Sequence, residues 1–263
     1  MARAADDGYE LELLPGLRSS VDAGRLADEL AFSANRLEEL SGDPPGLYAD
    51  VALSSDPEEA AWLTFLIAYL SPLDGDDPWA GIAAARTTWA SGEVPVLDEV
   101  PLGPRTAHSA ARGPAALVAY RAFADRAGSQ AAAFTGDPSW PEPRRFDRAF
   151  ERLALPGFGR AARYELLVLL GRLGVFPVRP WSLQLGTDAL DPTVVAAKRV
   201  LGIGDPLLLQ RRAADLATAA GVPIEALDLA LTNWQRAEER ITAGATVGLE
   251  GERREAIGAA LGV

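Results

Sequence analysis

Two features of this 263-residue sequence are best equipped to do chemistry: a carboxylate at the head of an expected helix, and a glycine turn flanked by arginines. The carboxylate is Asp191, in Leu190-Asp191-Pro192, where a side chain can cap a helix or stabilise positive charge developing on a substrate. The turn is Leu155-Pro156-Gly157-Phe158-Gly159-Arg160. Gly157 and Gly159 permit a tight hairpin between helices and leave amide N–H groups at the start of the second helix, where the dipole favours a phosphate. Arg160 and Arg163 stand beside that site. Two readings remain open for the turn, a plain interhelical connection and a phosphate cradle. Two also remain open for Asp191. Asp precedes Pro six times, at Asp43, Asp56, Asp77, Asp137, Asp191 and Asp205, so the dipeptide is first of all this chain's way of starting helices and turns. Lys198, seven residues after Asp191, lies two turns along nearly the same face; it either approaches the aspartate or a phosphate, or joins Arg199 in a solvated patch.

Composition restricts what else can react. There is no cysteine, one histidine (His108) and one lysine (Lys198), which excludes cysteine-ligated zinc, iron–sulfur clusters, a thiol nucleophile and multi-histidine metal sites. Carboxylates and arginines must carry most acid, base and charge chemistry. The net charge of -12 is unevenly placed. Residues 1–100 hold 20 acidic and 5 basic side chains, residues 101–263 hold 17 and 20, and the interval from Arg144 to Arg212 holds 6 and 12. Any nucleic-acid contact is therefore expected from that interval. Within it Arg144, Arg145, Arg148 and Arg152 recur at helical spacing beside Asp147 and Glu151, the pattern of a salt-bridged surface or of a basic groove.

The elements that must position these groups read as helices nearly throughout. Asp56-Pro57 starts an apolar segment with Trp62, Phe65, Leu66, Tyr69 and Leu70 at three- and four-residue spacing. Asp77-Pro78-Trp79 starts another. Helices are expected from about 113 to 126, 146 to 153, 160 to 173, 192 to 201, 207 to 220 and 224 to 241. The Pro- and Gly-rich stretch 93–112 reads as a long connection and the best internal boundary, and 135–143 as a shorter break. No alternating polar and apolar run is present, so the expected fold is all-α, one domain in two lobes. Residues 1–44 read as an acidic extension, 45–245 as the domain with its hairpin at 150–173, and 246–263 as a tail. The N-terminus lacks a leader pattern, and the longest apolar run, Ala60 to Leu70, is too short to span a bilayer. A cytoplasmic monomer without membrane contact is expected.

The turn followed by YELLVLLGRLG resembles the helix-hairpin-helix motif of DNA glycosylases of the endonuclease III kind. In that superfamily an aspartate opens a later helix, as does Asp191 in LDPTVVAAKRVL, although the interval from the turn is longer in this chain. The phrases FLIAYLSPL, DDPW, RRFDRAFERLALPGFGR, DPTVVAAKRVLGIGD and LDLALTNW are similar to a narrower branch, the α-glutamyl/putrescinyl thymine pyrophosphorylase-like proteins, over roughly residues 45–245.

The resemblance implies a helix-hairpin-helix DNA glycosylase-like fold in which Asp191, or Asp188 on the same loop, is the catalytic carboxylate, with Lys198 as its companion. Gly157, Gly159, Arg160 and Arg163 would clamp DNA phosphate, and an extruded base would lie among Tyr69, Tyr120, Trp140, Trp181 and Asn233, with Trp234 as a further aromatic candidate. Where bifunctional relatives carry a lysine nucleophile, this chain has Ala161, so base release without lyase activity is implied. No cofactor is expected, a monovalent cation at the hairpin being compatible with the motif. The implied partner is DNA carrying a modified pyrimidine, and the implied setting is phage defence. The alternatives are transfer chemistry, in which an amine displaces pyrophosphate from an activated thymine, and a catalytically silent scaffold.

Overall fold

The computed structural model describes residues 4–236, 239–249 and 251–263. Among them are twelve α-helices and no strand. In chain order these are α1 (Ser20–Gly42), α2 (Leu47–Ala52), α3 (Pro57–Leu70), α4 (Ala80–Ala85), α5 (Ala115–Ala127), α6 (Gln130–Thr135), α7 (Glu142–Arg152), α8 (Arg160–Arg172), α9 (Pro192–Leu201), α10 (Pro206–Ala219), α11 (Ala226–Gln235) and α12 (Glu252–Ala260). A single 3-10 turn, Ala110–Arg112, closes the long connection before α5. No helix among the described residues is long and apolar enough to cross a membrane.

The chain divides into two compact units. A terminal unit comprises Met1–Glu38, Trp181–Arg240 and Val247–Val263, and a central unit comprises Glu39–Pro180 and Ile241–Thr246. The connection 93–112, expected to be a boundary, lies inside the central unit. Nor are residues 1–44 a peripheral extension. Most of α1 belongs to the terminal unit, where Ala23, Leu26, Ala27, Leu30, Ala31, Ala34 and Leu37 are buried at three- and four-residue spacing. Asp28, Glu29 and Glu39 stand at its less buried positions, so a charge average hides an amphipathic helix. The C-terminal stretch likewise carries α12, which buries Ile257.

In the central unit, α3 packs on α8, with α2, α4 and α6 also against α3. Its residues from Ala60 to Leu70 are all buried, which accounts for the longest apolar run as a core helix rather than a membrane span. Asp56 caps its start, accepting the amides of Glu58 and Glu59, and Pro57 occupies the first turn, where no donor is lost. The core is an aromatic stack: Phe65 lies between Trp62, Tyr69, Tyr120 and Phe158, with ring centroids 3.8–5.6 Å apart. Helix α7 begins earlier than expected, at Glu142, because Pro143 sits in its first turn, where proline is tolerated, rather than ending the preceding break.

In the terminal unit α9 packs on α11 and α10. Both α9 and α10 open with Asp-Pro, the carboxylates of Asp191 and Asp205 each accepting two amides, and α9 ends at Gly202 with φ 63°. The loop before α1 approaches α9 closely. Gly16 donates to the Val200 carbonyl at 3.1 Å, and a Cβ at Gly16 would fall 1.7 Å from the Arg199 carbonyl oxygen, so only glycine fits there. Helix α11 ends at Gln235, short of the expected 241; Arg236 is extended, and residues 237–238 lie outside the described residues.

Candidate functional site

The candidate groups fall into two sets, one in each unit. In the central unit the hairpin joins α7 to α8. Gly157 has φ 77°, a left-handed conformation that a side chain disfavours, and Phe158 donates its amide to the Leu155 carbonyl at 3.1 Å. Phe158 is buried against Phe65 and Tyr69, which anchors the turn to the aromatic core. Gly159, the residue before α8, is exposed, and α8 begins without a side-chain cap.

The arginines are placed differently from the expectation. Arg160 is buried, its guanidinium 5.6 Å from the Tyr164 ring centroid. Arg163 folds back onto α7, donating Nη1 to the Phe150 carbonyl at 3.2 Å with its guanidinium 4.4 Å from the Phe150 ring. Burial, and then the charge of Arg160, lower its pKa. Arg163 thus ties α7 to α8 and is not displayed toward a phosphate. The exposed cation at the turn is Arg112, which sequence reasoning missed: a Cβ at Gly157 would lie 3.3 Å from its Cδ and 3.5 Å from its Nη1. The signal was faint, a basic residue ending a Pro- and Gly-rich connection forty-odd residues upstream in the chain. Along α7, Arg148 pairs with Glu151 at 3.0 Å, Arg145 donates to the Pro138 carbonyl and Arg144 covers Trp140, so the basic face is largely an internally paired surface.

Of the proposed base-stacking residues, Tyr69 and Tyr120 are core. Tyr120 is wholly buried, stacks on Phe65 and donates its hydroxyl to Gln130 Oε1 at 2.6 Å, leaving no ring face for a base. Its phenol ionises well above the ordinary range, chiefly through burial and further through the nearby Glu58 charge. Tyr69 is equally enclosed but its hydroxyl meets His108 Nδ1 at 2.9 Å, and burial raises its pKa. His108, which sits on a half-buried loop, is therefore the ring partner of Tyr69. Trp140 is partly exposed, seated against Gly136, where a Cβ would come within 2.9 Å of the indole.

The terminal unit holds Asp191, Lys198, Trp181 and Asn233. Asp191 Oδ1 accepts the amides of Thr193 at 2.9 Å and Val194 at 3.3 Å. Asp56 and Asp205 make the same cap, yet both are exposed, whereas Asp191 is only 7% exposed. Burial separates it from its look-alikes. Around it lies a buried polar seam between α9 and α11: Thr193 Oγ1 meets Thr232 Oγ1 at 2.9 Å and approaches Asp228 Oδ1 at 3.5 Å, while Thr232 Oγ1 also reaches the Asp228 carbonyl at 2.9 Å. Asn233 and Glu225 are buried as well. Polar groups placed out of water need partners, and clustering satisfies them together. Sequence reasoning passed over Asp228, Thr193 and Thr232. The available signal was Asp228 and Thr232 four residues apart in an otherwise apolar helix.

Asp188, the competing carboxylate, is exposed and accepts the Leu190 amide in its own turn at 2.8 Å. Lys198 is half-buried in the last turn of α9, about 10 Å of helix rise beyond Asp191. Trp181 is 62% exposed. Among the described residues no group of three or more His, Asp and Glu is placed to hold a metal.

Residues 114–244 match the family model described as alpha-glutamyl/putrescinyl thymine pyrophosphorylase clade 3. The match covers just under half of the chain, taking in the hairpin, Asp191 and α11, and leaving out Tyr69, His108 and Arg112. Neither the curated proteins nor the solved structures compared with the chain give a match. The pyrophosphorylase model thus falls on the hairpin and on the Asp191 set, and it supports an enzyme of modified-base chemistry. The wider likeness to helix-hairpin-helix glycosylases rests on the sequence motifs alone.

Proposed function

We propose that the protein catalyses transfer chemistry on a modified thymine in DNA, an amine displacing pyrophosphate from an activated base. The observation that carries this reading is the pyrophosphorylase family match, which names the leaving group and spans both the hairpin and Asp191. Hydrolytic base release, the leading expectation from the sequence, has no comparable support.

In this reaction the amine nitrogen attacks the carbon that bears the pyrophosphate; the C–N bond forms as the C–O bond breaks, pyrophosphate departs as the anion, and the nitrogen loses a proton. Asp191, buried at the start of α9, is the group we assign to that proton and to the positive charge gathering on the nitrogen. Thr193 of α9, bonded to Thr232 of α11 and close to Asp228, forms the polar seam beside it. Lys198, the single lysine, is assigned to the anionic leaving group. At the hairpin, the first amides of α8, which have no side-chain cap, and the Arg112 guanidinium are assigned to DNA phosphate. Of the aromatics expected to stack on a base, Trp140 and Trp181 keep accessible surface and remain candidates. DNA is accordingly the proposed partner, and with no sequence feature naming a redox or metal cofactor, none is assigned.

The test is incubation of the full chain with DNA bearing a pyrophosphorylated thymine and with a primary amine, followed by mass analysis of the nucleosides. The reading predicts an amine-substituted thymidine. Abasic sites in place of the adduct would return the assignment to hydrolysis, and unaltered nucleosides in every arm would favour a scaffold.

A further inference from the structure

Helices α5 and α7 of the central unit carry six arginines, and four of them are committed within the fold. Arg121 donates to the Trp89 carbonyl at 3.2 Å and lies over the Trp62 and Trp89 rings, Arg145 holds the Pro138 carbonyl, Arg148 pairs with Glu151, and Arg144 covers Trp140. The two that remain are Arg126 and Arg152. Both are exposed, and neither has a side-chain hydrogen bond, ion pair or ring contact among the described residues. Each stands in the last turn of its helix, where a cation complements the dipole, but that role requires no common site. Both nevertheless line one cavity.

This cavity has a volume of about 370 Å³ and is walled also by Phe123, Ala127 and Ala133. Local sequence accounts for its floor. Gly128, with φ 90°, ends α5, and Ser129 caps α6 by accepting the Ala132 amide at 2.9 Å, so that α6 folds back on α5. Ala127 and Ala133 thereby reach the same cleft, and their short side chains leave it open. Phe123 is fixed by packing on Tyr120 and Phe134, with ring centroids 6.1 and 5.8 Å away. Helix α6 packs in turn on α7, which carries Arg152.

The lining thus combines two uncompensated guanidinium groups with a surface that bears no carboxylate and no other polar side chain. Guanidinium groups only donate, so the matching ligand is an anion, and their planar forks fit phosphate oxygens in pairs. Two positive charges are balanced by the roughly -1.5 to -2 of a phosphate monoester near pH 7 better than by a single carboxylate. The volume lies within the roughly 300–1,000 Å³ of small-molecule sites, and the apolar floor suits an organic portion. We propose that the cleft binds a small organic phosphate monoester, its phosphoryl group between Arg126 and Arg152 and its organic portion on Phe123, Ala127 and Ala133. The site uses none of the residues assigned to transfer chemistry, so it stands or falls apart from that reading.

The test is titration calorimetry of the full chain with dTMP, thymidine, inorganic phosphate and a thymidine oligonucleotide lacking terminal phosphates. Saturable binding of dTMP is expected, with thymidine and inorganic phosphate each about tenfold weaker or more. Arg126→Gln and Arg152→Gln should each weaken dTMP binding about tenfold, the effect of losing one charge-assisted hydrogen bond. Ala127→Glu, which sets a carboxylate on the floor, should weaken it at least as much. Arg211→Gln, which removes an exposed charge from α10 in the terminal unit, should bind as the parent does. All four positions are exposed, and the variants should melt within about 1–4 °C of the parent, which separates loss of binding from loss of structure. The proposal is overturned if dTMP gives no saturable heat, if thymidine or inorganic phosphate binds as tightly, if the folded Arg126→Gln and Arg152→Gln variants bind as the parent does, or if Arg211→Gln weakens binding equally. Oligonucleotide binding governed by these two arginines, without dTMP binding, would also overturn it and would make the cleft part of a DNA path.

Discussion

Replacing Asp191 by alanine and by asparagine separates a helix cap from a catalytic carboxylate. Its Oδ1 satisfies two amides at the start of α9 in a buried setting. Removing the cap costs about 1 kcal/mol, and leaving buried amides unpaired brings the total for Asp191→Ala to about 2 kcal/mol. In a protein of this size that lowers the melting temperature by about 4–8 °C. Asparagine caps as well as aspartate, so Asp191→Asn loses only the charge–dipole attraction, roughly 0.3–1 kcal/mol, or about 1–4 °C. Asp205→Ala provides the exposed control, with the same two-amide cap and a cost of about 1 kcal/mol. The assay is the rate of pyrophosphate release from activated DNA. If the carboxylate charge acts on the reacting centre, Asp191→Asn loses about 100-fold or more in kcat/KM while retaining its fold, and Asp205→Ala keeps its rate. An Asp191→Asn enzyme within a few-fold of the parent would reduce Asp191 to the structural role its two exposed counterparts play, and the catalytic assignment would be refuted.

The hairpin yields a contrast between two arginines. Arg112→Gln should leave the melting temperature unchanged and reduce the slope of log affinity for DNA against log salt by about 1, as expected for one lost phosphate contact. Arg163→Ala should instead destabilise by about 1–3 kcal/mol in denaturant unfolding, because the Phe150 carbonyl loses its donor. A normal salt slope in Arg112→Gln would remove that residue from the interface. Tyr120 gives a pH dependence. Burial and the Glu58 charge hold its folded pKa above that of the unfolded chain, so its contribution to stability is complete below about pH 10 and is lost as pH rises beyond it. Tyr120→Phe should cost about 1–3 kcal/mol at neutral pH, since Gln130 Oε1 loses its donor, and should flatten the alkaline decline. An unchanged alkaline slope in unfolding titrations would contradict this.

Much of the helical framework was legible in local signals. Asp-Pro pairs located the starts of α3, α9 and α10 because cap and first-turn proline act within four residues. Elsewhere the same dipeptide opens turns: Asp137 closes one on Ser139, and Asp77 accepts the Trp79 amide just ahead of α4. Helix α1 was missed because its Ala- and Leu-rich face was averaged with its acidic one. The candidate site was less legible. Asp191 could be named, but what distinguishes it from Asp56 and Asp205 is burial, which tertiary packing sets and the local sequence does not carry. Arg163 was read as a phosphate ligand because spacing places it beside the turn; its commitment to Phe150 depends on how α7 and α8 pack. Tyr120 was read as a stacking surface because aromatics serve both core and pocket, and only tertiary packing tells which.

The most direct measurement counts, in one reaction with activated DNA and a primary amine, the pyrophosphate released, the amine-substituted thymidine formed and the abasic sites produced. The account predicts equal amounts of pyrophosphate and adduct, with the bond from base to sugar intact and both products formed about 100-fold more slowly or less in Asp191→Asn. Abasic sites accumulating without adduct would contradict it.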